Sequence, residues 1–439
     1  MSGVTRAQVL RAGLGAASFG TLIACGGQAS GTPSEVSATS APAKRPVTLI
    51  VDNDWTSGDR YKVVQAWLER AKQVHPHITT ELRDNAASQD KTIALFASDQ
   101  QGDLFQLDQH MVPVYGPKGV LQDISSTLAS LRFDLNSVYD VENITHWNGK
   151  RHGLLIQLNT HTGVYNKSAF VEAGVKEPTR DWTWDDYVAA ANTLHRAQDN
   201  RWGTTGLSPG YFYTWFWSAD VPYMDAKGTK TYFDTPAARP ILQWLADLVL
   251  RYRVAPSPRE ASEKKLNFNA GNYVMTELTV PTPAITKNVD GRFEWEVLPR
   301  PKHPQTKKAV SLTTGHNYLV TTKARERGVL TESVQVLVEL YYKEIQDLYI
   351  SGLSLSSLPI LKSVATSPRA LEQLPAGYRT NALDTIANSK NYDKVVGFSD
   401  FHRATGEEFT KALNGEVTVE QAAVNTTRAA DAALQQAAR

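Results

Sequence analysis

Along residues 47–108 the apolar positions switch between two periods. Val47-Thr48-Leu49-Ile50-Val51 is a short β-branched run suited to a buried strand, and it ends at Asp52-Asn53-Asp54 before Trp55. Val64, Trp67, Leu68, Ala71 and Val74 then share one face at the 3.6-residue period, which predicts a helix stopped by His75-Pro76. Residues 78–82 read as a second strand, 91–98 as a second helix, and Asp103-Leu104-Phe105-Gln106-Leu107-Asp108 as a third strand. The order β-α-β-α-β predicts an α/β layer.

Later helices announce their starts. Thr183-Trp184-Asp185-Asp186 has the form of a capping box, and Thr235-Pro236 offers proline for a first helical position, with Ile241, Leu245, Leu248 and Tyr252 continuing the apolar face. Val334, Leu337, Val338, Tyr341, Ile345 and Leu348 mark another helix, and Thr418-Val419-Glu420-Gln421 opens an Ala-rich one after Gly415.

The first 45 residues follow a different pattern. Arg6 and Arg11 precede an apolar stretch over 12–24, the arrangement of a secretory signal, and the stretch is too short to span a bilayer. Leu22-Ile23-Ala24-Cys25-Gly26 resembles a bacterial lipobox, which implies a lipidated Cys25 at the mature N-terminus. Thr5-Arg6-Ala7-Gln8-Val9-Leu10 is similar to a twin-arginine signal with Ala7 in place of the second arginine. Residues 25–45, rich in Gly, Ser, Thr, Ala and Pro, have the composition of a flexible tether. An exported protein held at the outer face of the cytoplasmic membrane, or in the periplasm, is the expectation.

Charge and cysteine usage narrow the function classes. The formal net charge is +1 over 439 residues, which gives no electrostatic case for nucleic acid. A single cysteine, Cys25, excludes an internal disulfide framework and multi-cysteine metal sites. The chain lacks a Gly-x-Ser-x-Gly elbow, a His-Glu-x-x-His pair, a phosphate-binding P-loop and an EF-hand loop. Gly13-Leu14-Gly15 has no preceding strand, and His75-Pro76-His77 reads as a loop at a helix end. No cofactor and no metal are expected.

Several motifs then occur in a fixed order. Trp147-Asn148-Gly149-Lys150-Arg151-His152-Gly153 is followed by Tyr165-Asn166-Lys167-Ser168-Ala169-Phe170, Glu172-Ala173-Gly174 and Trp182-Thr183-Trp184-Asp185-Asp186-Tyr187. Together they resemble the extracellular solute-binding proteins of ATP-driven (ABC) importers, in the oligosaccharide-binding branch that includes maltose-binding protein. His152 departs from the family's usual tyrosine. The resemblance implies a two-lobe α/β periplasmic-binding-protein fold of type II, a ligand held in the interlobe cleft, and hinge closure. It implies importer permease subunits as partners, a working monomer and no catalysis. The expected lobes are 46–156 with 312–356, and 157–311 with 357–439, joined by crossovers near 154–158, 308–314 and 353–360.

A sugar carries hydroxyl groups around its rim and C–H faces above and below, so its site needs aromatic platforms and side chains that donate and accept hydrogen bonds. The densest aromatic run, 211–217, supplies Tyr211, Tyr213 and Trp215 as candidate platforms, with about half of the run expected to be structural on the alternation of faces. Trp55 follows the first strand and is expected near the cleft rim. Asp108 ends an apolar strand, where its carboxylate either accepts sugar hydroxyls or caps a helix. Gln157, Asn159 and His161 lie between the two strongest motifs, and Glu277, His316 and Asn317 complete the candidates. A mono- or oligosaccharide leads as ligand, with a polyol, sugar phosphate or polyamine behind it. The enzymatic alternative is a secreted glycoside hydrolase or lyase using carboxylates such as Asp108 and Glu277.

Overall fold

A computed structural model describes residues 45–437, apart from 85–88, 140–141, 207–210, 278, 352, 354 and 356. Cys25, the leader at 1–24 and the tether up to residue 44 lie outside the described residues.

The opening units form as their periods predict. Strand β1 (Val47–Asn53) is followed by helix α1 (Gly58–Val74), β2 (Ile78–Asp84), α2 (Gln89–Ala97) and β3 (Leu104–Asp108). Helix α1 turns Val63, Val64, Trp67 and Ala71 inward, and the Trp67 indole donates to the Val336 carbonyl at 2.7 Å. Val74, at the helix end, is 38% exposed and does not share that face.

Two long strands complete the first sheet: β4 (Gly153–His161) and, much later, β9 (Leu312–Val320), with β5 (Val164–Asn166), β6 (Trp202–Thr204), β7 (Tyr273–Met275) and β8 (Trp295–Val297) between them. The five-stranded sheet runs β2-β1-β3-β9-β4, parallel among its first three strands and antiparallel where β9 joins β3 and β4. The four-stranded sheet runs β8-β5-β7-β6. Each sheet has its own core: Leu49, Val51, Trp67, Ile156, Tyr318 and Leu337 belong to one cluster, Phe170, Tyr187, Trp215, Leu245, Phe401 and Leu434 to another. Two separately packed α/β layers make this a two-lobe fold. The passage between them runs along paired β4 and β9, where Leu312 faces His161, and Leu358 makes a bridge to Leu158 from a third segment.

Among the helices, α3 (Trp184–Leu194) starts at the capping box, in which Thr183 and Asp186 bond each other's backbone N–H. Helix α4 (Tyr213–Ser218) takes up most of the aromatic run. Helix α5 (Arg239–Leu250) begins later than Thr235-Pro236 predicts: Thr235 Oγ1 accepts from Ala238 N–H at 3.2 Å and holds 235–238 as a turn, so Pro240 takes the early helical position and Tyr252 falls beyond the end. The helix expected through 334–348 is broken. Helix α6 (Leu330–Val338) stops, and Tyr342 at φ −66°, ψ 140° separates two later short turns. Helices α7 (Phe398–Leu413) and α8 (Val419–Ala437) pack together and on α5.

Candidate functional site

The site grows from strand ends. Asn53, the last residue of β1, donates to the Trp55 carbonyl at 2.8 Å while its Oδ1 accepts from the Tyr318 hydroxyl at 2.6 Å, which fixes the chain at Trp55. The Trp55 ring then meets the His316 ring edge-on at 5.7 Å, with the Arg60 guanidinium 5.2 Å from it. His316 pairs with Asp108 across β9 and β3, and its Nδ1 stands 3.4 Å from Asp108 Oδ1. Trp55, Asp108 and His316 are thus brought together as one patch.

Asp54 joins that patch without having been singled out in the sequence. Its N–H donates to Gln106 Oε1 at 3.1 Å, and its buried Oδ1 has no hydrogen-bond partner among the described residues. Burial raises its carboxyl above the ordinary range, Asp108 adds to the rise, and His316 and Arg60 oppose it. The strand-end argument used for Trp55 applies equally to its neighbour.

Strand β4 carries the next group. Gln157 Nε2 donates to Asn159 Oδ1 at 3.1 Å, and His161 Nε2 is hydrogen-bonded to Thr314 Oγ1 at 2.9 Å. His161 leads to Tyr211, with ring centroids 6.5 Å apart, and Tyr211 to Tyr392 at 6.4 Å and His402 at 5.2 Å. Tyr392 returns the path to the first sheet. Burial, followed by Tyr211 and Tyr213 and finally by the Asp108 carboxylate, holds its phenol well above its usual range, and its neighbour Asn391 donates to Gln109 Oε1 at 3.0 Å. Gln109 Oε1 also accepts from Gly315 N–H at 3.1 Å. Aromatic faces and two-way hydrogen-bonding groups from both layers therefore converge. Tyr392 and His402 had no local signal, since only the fold brings them to residues far back in the chain.

Three candidates are buried core residues. Tyr213 is fully buried with its hydroxyl on His402 Nδ1 at 2.8 Å, and Trp215 is 1% exposed, packed against Trp184 and Trp244. Alternation of faces, an argument for strands, fails here because the run is helical and inserted into the core, where residues around the whole turn are enclosed. Asn317 is buried and donates to the Ile144 carbonyl at 3.1 Å, on the far side of a bulge that separates it from His316.

Glu277 belongs to a separate inner cluster. Its carboxylate accepts from the Tyr187 hydroxyl at 3.1 Å and the Trp215 indole at 3.2 Å. Burial pushes the carboxyl up to about 7, against the pull of Arg300, Tyr187 and Trp215. The contacts of Asp108 with His316 and of Glu277 with Tyr187 and Trp215 belong to different clusters. Asn166 and Trp184 act structurally: Asn166 Oδ1 caps the following turn at Ala169 N–H, and Trp184 is buried.

Residues 66–376 match the family model described as bacterial extracellular solute-binding protein. The chain belongs to that family. Among solved structures, this solute-binding protein is similar to an ABC substrate-binding protein from Listeria monocytogenes in complex with cycloalternan, with a TM-score of 0.73 and 21% identity over 90% of this chain and 100% of that one. It is similar to the sugar-binding protein MalE of Xanthomonas citri, with a TM-score of 0.74 and 16% identity over 89% and 98% of the two chains. UgpB of Mycobacterium tuberculosis, in complex with glycerophosphocholine, gives a TM-score of 0.73 and 17% identity over 90% and 100%. These likenesses establish the two-lobe fold.

Proposed function

We propose that this protein is the substrate-binding component of an ABC importer and captures a carbohydrate between its lobes. The observation that carries the reading is the convergence of Trp55, Asp108 and His316 with His161, Tyr211 and Tyr392, a set that offers ring faces beside groups able to bond hydroxyls in both directions. Similarity to a protein solved with cycloalternan and to a sugar-binding protein supports it. Asp54, with an acceptor oxygen lacking a partner, and Gln157 and Asn159 on β4 extend the same surface.

The lobes in this reading are 46–156 with 312–356, and 157–311 with 357–439, and the hinge lies where β4, β9 and the bridge at Leu358 meet. An open state samples closure, and ligand contacts from both lobes favour the closed form. Residues 1–24 serve as a secretory leader, Cys25 carries the lipid, and a tether up to residue 45 leads to the lobes, which deliver ligand to permease subunits as a monomer. The protein performs no catalysis: Asp108 and Glu277, the carboxylates a hydrolase would pair, have their contacts in separate clusters.

A thermal-shift screen of residues 46–439 against sugars, polyols, polyamines and glycerophosphocholine tests this. A ligand at a hundred times its Kd adds about 2.7 kcal/mol of stability. Stabilisation by a sugar recovered unaltered supports the reading, and stabilisation confined to non-sugar solutes rejects the carbohydrate.

A further inference from the structure

Arg300 stands in surroundings that leave its charge poorly served. It is 6% exposed, yet among the described residues its one hydrogen bond runs from Nη2 to Thr214 Oγ1, and its Nε is buried with no partner. The Trp215 ring covers the guanidinium at 4.3 Å, and among the described residues no carboxylate lies within ion-pair distance of it, the Glu277 carboxyl attracting it only from farther away. A buried guanidinium with an unpartnered N–H carries a desolvation cost that an oxyanion relieves by accepting from it.

The same residue lines a cavity of about 320 Å³ with Arg180, Lys302, Ser311, Asn381 and Asn388. Arg180 and Asn388 are exposed, so the cavity opens to solvent. Three cations face it against one acid, Asp384, and Lys302 also reaches Asp181 at 2.7 Å. None of Trp55, Asp108, His161, Tyr211, His316 or Tyr392 contributes to its wall, so it is distinct from the cleft.

We propose that this cavity is a second ligand site, which takes a small molecule bearing an oxyanion, phosphate or carboxylate, bound by Arg300 from within and by Arg180 and Lys302 at the mouth. Arg300 supplies the planar fork, and the two outer cations supply attraction and selectivity for negative charge. Ser311, Asn381 and Asn388 provide polar contacts for the remainder of the molecule.

Calorimetric titration of residues 46–439 with inorganic phosphate and with citrate, at constant ionic strength set by chloride, tests the proposal without any sugar. One-to-one saturable binding of at least one of the two anions is expected, and comparison between them assigns the phosphate or carboxylate class. The double variant R180Q/K302Q, altered at the cavity mouth, should weaken binding at least tenfold while melting normally. Trp55→Ala, which alters the cleft, should bind the anion as wild type does. Arg300→Lys keeps the charge but loses the fork, and should weaken binding as well. Absence of saturable binding, binding that survives R180Q/K302Q, or binding lost in Trp55→Ala overturns the proposal. Because no sugar is used, that failure is independent of the carbohydrate reading.

Discussion

His316 Nδ1 and Asp108 Oδ1 face each other at 3.4 Å across the antiparallel pairing of β9 with β3, and the opposite edge of the His316 neighbourhood is the Trp55 ring at 5.7 Å. One imidazole therefore links an acceptor to a platform, and the ligand should respond to loss of either.

Asp108→Asn removes the charge that the imidazole faces and that, in the proposed reading, a sugar hydroxyl uses. Charge-assisted hydrogen bonds contribute about 1.5–3 kcal/mol, so a loss of affinity between about tenfold and a hundredfold is expected. Calorimetry with the sugar found by the thermal screen reads it, and circular dichroism checks that the fold is kept.

Tyr211 and Tyr213 lie two positions apart in sequence and should separate cleanly. Tyr211→Ala removes a half-buried ring beside His161 and Tyr392 and should weaken ligand binding about tenfold or more. Tyr213→Phe removes a buried hydroxyl bonded to His402 and should destabilise by about 1 kcal/mol with affinity unchanged. Urea unfolding and calorimetry on both variants measure the two effects.

That contrast also shows where sequence reading ends. The β-α-β-α-β opening was legible because buried strands and amphipathic helices write their periods into neighbouring residues, as at Val47–Asn53 and around Trp67. Trp55 and Asp108 were legible from the ends of the first and third strands, whereas His316, which lies in mid-strand, stood out only as the residue after Gly315. The direction of Tyr213 and Trp215 was not, since a short run of aromatics fits strand alternation or an enclosed helix alike. Tyr392 was hidden for a different reason: its place beside Tyr211 is made by tertiary folding, not by any local pattern.

Glu277 should give stability a pH dependence. Its folded-state value of about 7 lies above the ordinary 4.5, so the folded protein holds the proton more tightly than the unfolded chain does. The contribution is fully present below about pH 4.5 and is lost as pH rises through about 7, by up to about 3 kcal/mol. In urea unfolding from pH 4.5 to 8, the stability of wild type relative to Glu277→Gln should therefore fall with rising pH. A difference that stays flat contradicts the assignment.

Gly315 permits the close pairing of β9 with β4. A Cβ there would lie 2.5 Å from the Gln157 carbonyl oxygen and 2.7 Å from Leu155 Cδ2, so Gly315→Ala must push the two strands apart. A destabilisation of about 1–3 kcal/mol is expected, with a smaller ligand-induced change in radius of gyration because the strands lead into the proposed hinge. Chemical unfolding and small-angle scattering measure the two effects.

The most direct test of carbohydrate capture is calorimetric titration of residues 46–439 with mono- and oligosaccharides, followed by chromatography of the recovered sugar. The account predicts one-to-one binding of at least one sugar near micromolar Kd, corresponding to about −8 kcal/mol, with the sugar recovered intact and the affinity reduced in Asp108→Asn and Trp55→Ala. A cleaved sugar, or no binding to any of them by a correctly folded protein, contradicts it.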